Sequence, residues 1–255
     1  MTPNPRQSKL LTLINDRGAL SIEALAAELD VALQTVRRDV HRLSEAGLIA
    51  RFHGGARPAL STTENIAYRQ RKALHGSAKA LIAQAIAQRV PHGSALFINI
   101  GTTMEAVAHA LLAHQDLRVI TNNLHVAAIL SEAPGCQVIV AGGEMRSLDR
   151  GIVGELAVDF IRQFKVDIGL IGISGIEPDG SLRDFDYREV QVARTIMAQS
   201  RQVWLAADSS KFLRAAIVQL AHVRDIDLLY TEAPPSEDMA KILADGGVEC
   251  IVAGH

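Results

Sequence analysis

The sequence predicts an α/β protein in two parts: a small helical head closed by a β-hairpin, then a larger body built on a mostly parallel sheet. Three observations predict it. Residues 6–58 hold three amphipathic helical stretches followed by a short strand and a Gly54-Gly55 turn. From Ser77 onward, short apolar runs alternate with helical ones, the pattern of a parallel sheet covered on both faces. Charge is also split: residues 1–72 carry 11 Lys and Arg against 7 Asp and Glu, and the remainder 15 against 21. The whole chain, 255 residues with a formal net charge of −2 and 48% hydrophobic residues, is no basic nucleic-acid coat. Its positive excess is local to the head, as a DNA-binding module requires.

In the head, residues 6–16 form a first helix with Leu10, Leu13 and Ile14 inward, ended by Gly18. Ser21 caps a second helix over 22–29, and Asp30-Val31 turns the chain into a third. There Val36, Val40 and Leu43 recur at helical spacing and face a core, while Thr35, Arg37, Arg38, His41 and Arg42 take the other faces. Gly47 is placed to end that helix in a left-handed conformation. Residues 48–52 then form one strand of a hairpin with Gly54-Gly55 at its tip, and Arg51, His53 and Arg57 give the tip a positive rim. Three helices and a basic hairpin in this order are the plan of a winged helix-turn-helix, with the third helix as recognition element. A lone charge cluster is more often a solvated helix face; the glycine stop and basic hairpin behind it favour DNA. The candidate contacts are Gln34, Thr35, Arg37, Arg38, Arg42, Arg51, His53 and Arg57. The head spans 1–57. Residues 58–76 are polar, begin at a proline and form a linker whose charged second half is a candidate helix tying the two modules together; its Arg69, Arg71 and Lys72 are either phosphate contacts or solvated, and the solvated reading is favoured.

The body spans 77–255. Helices are expected at 79–90, 105–114, 124–131, 155–164 and 236–244, with a further one in DYREVQVARTIMAQS. They alternate with SALFINI, LRVITNN, CQVIVAGGE, VDIGLIGISG, QVWLAADSSK, DLLYT and VECIVAG. In such sheets ligands bind beyond the carboxyl ends of the strands, and the unusual residues gather there. Asn99, Gly101, Thr102 and Thr103 end one strand; Thr121, Asn122 and Asn123 end the next. Backbone amides opening a helix beside threonine hydroxyls suit a phosphate. Gly143 and Arg146 follow a third strand, Ser174 a fourth, and Asp208, Ser209, Ser210 and Lys211 a fifth. Asp186 and Glu189 flank a helix start, where they either accept hydrogen bonds from ligand hydroxyls or cap the helix. Lys211 either neutralises a phosphate or pairs with Glu189. Ser174 is free to serve packing alone.

Other chemistries lack their signatures. Cys136 and Cys250 sit in apolar runs and read as buried thiols of a reducing cytoplasm. No two histidines lie at i, i+4 beside an acid, no apolar stretch reaches membrane-spanning length, and MTPNPRQSKLL lacks the apolar segment of a signal peptide. There is no P-loop, no dinucleotide fingerprint and no nucleophile elbow. No metal, cofactor or catalytic residue is therefore assigned.

The run SIEALAAELDVALQTVRRDVHRLSEAGLIARFHGGA resembles the N-terminal signature of the DeoR family of bacterial sugar-responsive repressors, above all in Arg37-Arg38-Asp39 and in Arg51 and His53 to Ala56. The body is similar to the sensor domain of that family, a fold related to ribose-5-phosphate isomerase. LFINIGTTMEAVAHALL, TNNLHVA, AGGEMRSLDRGIVGE and GISGIEPDGSLRDFDYREV carry that match. The resemblance implies a homo-oligomeric repressor, dimeric or tetrameric, that binds double-stranded operator DNA in the cytoplasm. It implies release by a small phosphorylated effector such as glycerol 3-phosphate. It implies that Gly101, Thr102, Thr103 and the turn of Thr121, Asn122 and Asn123 hold the phosphate, and that Asp186, Glu189 and Lys211 close the pocket. The alternative is a sugar-phosphate isomerase-like enzyme with an appended head, using Glu189 or Asp186 as base. Two residues depart from the family pattern: Ala32 stands where a serine usually opens the recognition helix, and Asn99 where an aspartate is common.

Overall fold

A computed structural model describes residues 4–45, 49–52, 54–58 and 68–254. Gly47, Leu48, His53 and the Arg69 side chain lie outside the described residues. The chain divides into two compact units, residues 1–61 and 62–255.

The first unit opens with helix α1 (Pro5–Arg17). Its start is a capping box: the Gln7 amide donates to Asn4 Oδ1 at 2.9 Å, and Gln7 Oε1 accepts from the Asn4 amide at 3.1 Å. Gly18, at φ 77°, ends it. Strand β1 (Leu20–Ser21) leads into α2 (Ile22–Leu29), capped by Ser21, whose hydroxyl accepts from the Ala24 amide at 3.1 Å. Asp30 takes the left-handed conformation and turns the chain toward α3 (Leu33–Glu45). Strands β2 (Ile49–Phe52) and β3 (Gly55–Pro58) pair antiparallel, and β1 closes on the other side of β3. A Cβ on Gly55 would stand 2.4 Å from the Leu20 carbonyl, so the wing closes only on glycine. Leu10, Ile14, Leu25, Val36 and Leu43 are fully buried between these elements.

A buried charge latches α1 to α3. Asp39 points inward and accepts from Arg6 Nε at 2.6 Å and Gln7 Nε2 at 3.0 Å. Burial alone would raise its pKa, but the Arg6 and Gln7 bonds prevail and hold it below the ordinary carboxylate range.

The second unit begins with α4 (Tyr68–Ala73) and α5 (Gly76–Arg89), so residues 68–76 are grouped with the body. Strands and helices then alternate: β4 (Ala95–Ile98), α6 (Thr102–Ala110), β5 (Leu117–Thr121), α7 (Leu124–Leu130) and β6 (Cys136–Val140). A short antiparallel pair, β7 (Glu144–Met145) with β8 (Ile152–Val153), precedes α8 (Glu155–Ile161) and β9 (Val166–Gly172). Next come β10 (Gly175–Ile176), β11 (Ser181–Asp184), α9 (Tyr187–Ala198), β12 (Ser200–Ala206) and β13 (Val218–His222). The chain closes with β14 (Leu228–Thr231), α10 (Glu237–Asp245) and β15 (Glu249–Val252). Seven strands form one parallel sheet in the order β15-β14-β12-β9-β4-β5-β6.

Period-two alternation sorts the strand residues into two cores. Leu96, Ile98, Trp204, Ala206, Leu228 and Tyr230 join the core under α5, α6 and α7. Phe97, Val203, Leu205 and Leu229 face the other, under α8, α9 and α10. The antiparallel sheet β10-β11-β13 and the β7–β8 pair were not expected from the sequence. Their strands are two to five residues long, too short to show a period. Helix α6 starts at Thr102, three residues before its expected start, which puts Thr102 and Thr103 inside its first turn. Cys136 and Cys250 are half-buried and free, with burial pushing both thiols up.

Because the pKa of Asp39 is lowered by folding, its contribution is complete above the ordinary aspartate value of about 4 and is lost as pH falls below it. D39A should cost the head about 1–3 kcal/mol in urea denaturation at pH 7, with the difference from the unsubstituted protein shrinking as pH falls below 4. Equal denaturation midpoints at pH 7 would remove the latch.

Candidate functional site

The candidate DNA-contacting cations of the head lie on α3 and on the two wing strands. Gln34, Arg37, Arg38 and Arg42 are exposed on α3, and Thr35 is half-buried at its start. Arg51 and Arg57 are exposed on β2 and β3. Arg51 Nη1 lies 3.1 Å from His41 Nδ1, which ties the wing to the exposed face of α3. Ala32 supplies only its carbonyl, which accepts from the Thr35 and Val36 amides at 2.9 and 3.3 Å. It offers no side-chain cap.

In the body, the polar residues converge at the carboxyl edge of the sheet. Gly101 adopts φ 146°, a conformation that favours glycine, and opens α6 with Thr102 and Thr103 in its first turn. Thr121 Oγ1 donates to the Ile98 carbonyl at 2.6 Å and accepts from the Asn123 amide at 3.0 Å. Asn123 Oδ1 accepts from the His125 and Val126 amides and caps α7. Asn122 Nδ2 donates to the Ile152 carbonyl at 3.1 Å. Much of this turn is thus spent on holding its own shape. What it leaves over is unpaired: Asn99 Oδ1, Asn122 Oδ1 and Asn123 Nδ2 are buried without a hydrogen-bond partner among the described residues. Asp208 Oδ2, just beyond β12, and Arg71 Nε on α4 share that condition. Asn99, Asn122, Asn123 and Asp208 are each at most 2% exposed. Leaving such a group unbonded costs about 1–3 kcal/mol, so their gathering beyond the carboxyl ends of β4, β5 and β12 marks a place built for polar contacts.

Charge is arranged in two poles. At the acidic pole, Arg146 binds Asp149 at 2.5 Å, Asp186 at 3.0 Å and Glu189 at 2.8 Å. Asp184 lies nearby, buried, accepting from the Ser174 hydroxyl at 2.8 Å and the Phe185 amide at 2.7 Å. Burial and the charge of Asp184 push Glu189 upward despite Arg146. Asp186 also caps α9, accepting from the Arg188 amide at 2.8 Å. At the basic pole, Lys79, Lys211 and Arg214 feel the charge of Asp208, and Arg71 in turn acts on all three. Burial, helped by Arg214, Arg71 and Lys79, pulls Lys211 down to about 8, against the pull of Asp208. Burial alone would raise Asp208, but Lys211 and the Ser210 hydroxyl hold it below the ordinary range.

Several expectations change here. Glu189 is bound by Arg146, and among the described residues Lys211 faces Asp208 instead. Gly143 serves the backbone: a Cβ there would meet the Val153 carbonyl and Ile152 Cγ2 at 3.0 Å. Ser174 holds Asp184 as well as packing. Arg71, read as solvated, is 18% exposed and lies 3.5 Å from Asp149. Sequence reasoning missed Lys79, Asp149, Asp184 and Arg214 and set Arg71 aside as solvated; only the charge-rich spacing in RDFDYRE hinted at Asp184. Among the described residues no group of three His, Cys, Asp or Glu could hold a metal ion, and no helix is long and apolar enough to cross a membrane.

Comparison with known proteins follows the same division. Residues 6–62 match the DeoR-like helix-turn-helix domain and residues 74–233 the DeoR C terminal sensor domain. The chain is 46% identical over 250 residues to the glycerol-3-phosphate regulon repressor of Escherichia coli (strain K12), covering 98% of each chain. It is 44% identical over 252 residues to the HTH-type transcriptional repressor CsqR of the same strain, covering 99% of this chain and 96% of that one. Among solved structures, ribose 5-phosphate isomerase from Plasmodium falciparum aligns at a TM-score of 0.40 and 13% identity, over 53% of this chain and 52% of that one.

Among the described residues Arg146 alone joins Asp149 of the hairpin loop to both Asp186 and Glu189, so its loss should leave buried charge uncompensated. R146Q should lower the unfolding free energy by about 3–5 kcal/mol at pH 8. Glu189 and Asp184 are raised by folding, so stability falls as pH climbs from the ordinary carboxylate range toward their folded values. The R146Q deficit should therefore be smaller at pH 5.5, and a deficit that is the same at both pH values would refute the assignment.

Proposed function

The chain belongs to the DeoR family, and from that premise we propose that it is a transcriptional repressor whose grip on operator DNA is relieved by glycerol 3-phosphate. The observation that carries the effector half of this reading is the bipolar strand edge. Cations around Asp208 and the amide-rich start of α6 suit a phosphate, while buried amide and carboxylate oxygens suit hydroxyls. Asn99 presents an uncharged acceptor to such a ligand, where a carboxylate would repel the phosphate.

The head supplies the other half. Helix α3 enters the major groove, with Gln34, Thr35, Arg37, Arg38 and Arg42 as candidate readers, and Arg51, His53 and Arg57 of the wing hold phosphates. A dimer of heads reads half-sites about 10 bp apart, or a multiple of that spacing. The effector releases DNA only by binding the DNA-incompetent state more tightly. In the body the contacts are Asn99, Gly101, Thr102, Thr103, Asn122 and Asn123, with Lys211 on the phosphate. The Arg146 network of Asp186 and Glu189 supports the wall, as do Gly143 and Thr121. The relatives matched along nearly the whole chain are named as repressors, and the chain is a regulator, not an isomerase. Two relatives of nearly equal identity bear different names, so the effector is argued from the pocket.

Fluorescence anisotropy on DNA from upstream of the gene or its neighbours, at fixed salt, tests both halves. Glycerol 3-phosphate should release the DNA, and R38A should weaken operator binding by roughly 10- to 100-fold, about the loss expected for one base-reading arginine. T102A/T103A should bind DNA normally and fail to release it. Release should weaken above about pH 8, where Lys211 loses its proton. DNA binding indifferent to the ligand would overturn the effector; full release by the double variant would overturn the phosphate placement.

A further inference from the structure

We infer that Arg71 of α4 is a ligand for the effector's anionic group and the residue through which that group sets the position of α4. This rests on the effector reading above and reverses the solvated reading that the sequence favoured for Arg71.

Three observations carry it. First, Arg71 is under-bonded. Its single ion pair among the described residues, Nη2 to Asp149 Oδ2, is 3.5 Å long, while charge-assisted bonds run about 2.7–2.9 Å. Asp149 is taken at 2.5 Å by Arg146, and Arg71 Nε is buried with no partner among the described residues. A planar five-donor fork held this loosely is suited to a phosphomonoester. Second, Arg71 stands at the basic pole and at the start of α6. It is close enough to Lys79, Lys211 and Arg214 to disfavour their charged forms. Its own carbonyl lies 3.5 Å from Thr102 Oγ1. An anion between these groups would relieve a repulsion that the folded protein otherwise carries.

Third, α4 is held by polar contacts. Tyr68 Oη donates to Glu105 at 2.9 Å, and Lys72 Nζ lies 3.5 Å from the same carboxylate. Buried Lys79 donates to the carbonyls of Arg71 and Leu74, closing the end of the helix. Tyr68 stacks on His125, with ring centroids 5.2 Å apart. None of the described residues of 68–74 belongs to either apolar core of the body. The seat of α4 is therefore set by charge and hydrogen bonding, which an incoming dianion changes. Only residues 59–67 separate α4 from the last strand of the head in sequence.

The test uses the full-length chain, operator DNA, and glycerol 3-phosphate and inorganic phosphate as probes. R71Q should bind operator as tightly as the unsubstituted protein but need at least about tenfold more glycerol 3-phosphate for half-release. K241Q, which removes an exposed cation from α10, away from these contacts, should release normally. Half-release of R71Q within twofold of the unsubstituted protein overturns the inference. Hydrogen exchange on the unsubstituted protein gives a second reading that needs no variant to fold: ligand should slow exchange over residues 68–79. Protection over 99–103 with none over 68–79 also overturns the inference. If neither probe protects any segment or releases DNA, the effector reading itself fails, and the role of Arg71 with it.

Discussion

The Arg146 guanidinium binds carboxylates from two segments distant in sequence, Asp149 in the loop between β7 and β8, and Asp186 and Glu189 at the start of α9. Charges taken out of water are tolerated only when each finds its partners, so this network admits few other arrangements of its backbone. Asp149 in turn accepts from the Gly151 amide at 3.2 Å, and Gly151 bridges to Asn123. The neighbouring Ile152 amide donates to the Asn122 carbonyl at 2.7 Å. The turn after β5 and the loop before β8 are thus fastened together through a chain of bonds that includes one buried arginine.

The same network separates charge along the sheet edge. Carboxylates crowd Arg146, cations crowd Asp208, and Arg71 lies within reach of both groups. Neither crowd is relaxed: Glu189 is pushed up and Lys211 is pulled down. Binding sites are commonly held in this condition, because groups already desolvated and oriented gain more from a ligand than groups that must first be dried and ordered. The cost falls on stability, and the two apolar cores on either side of the sheet supply the burial that offsets it.

The outline of this fold was legible in the sequence because its strands are apolar and its helices amphipathic at lengths that reveal a period. Val36, Val40 and Leu43 face inward at the predicted spacing, and Leu10, Ile14 and the Ser21 cap stand where they were read. The gathering of Asn99, Thr102, Asn122, Asp186 and Lys211 at one edge followed from the rule for parallel sheets, although their individual bonds did not. The burial of Asp39 was not legible beside two arginines, since nothing local says that Arg6 and Gln7 meet it across the head. Arg71 was misread for a related reason. A basic residue in a polar stretch has no period to report its burial, and its partner Asp149 is distant in sequence. The pairing of Glu189 with Arg146 instead of Lys211 was equally invisible, because either cation satisfies the chemistry and only the hairpin decides which arrives.

An effector can shift a conformational equilibrium only by as much as its affinities for the two states differ. A helix seated in an apolar core would feel little of a phosphate's arrival, because dispersion contacts are indifferent to charge. Helix α4 is seated on Glu105, Thr102, Lys79 and Asp149, and every one of those contacts depends on the local field. A tenfold change in operator affinity corresponds to about 1.4 kcal/mol, within the span of a single hydrogen bond to a charged group, about 1.5–3 kcal/mol. One arginine that binds the effector in one state and makes only a long contact with Asp149 in the other is therefore sufficient to drive a response of that size, with no rearrangement of the sheet.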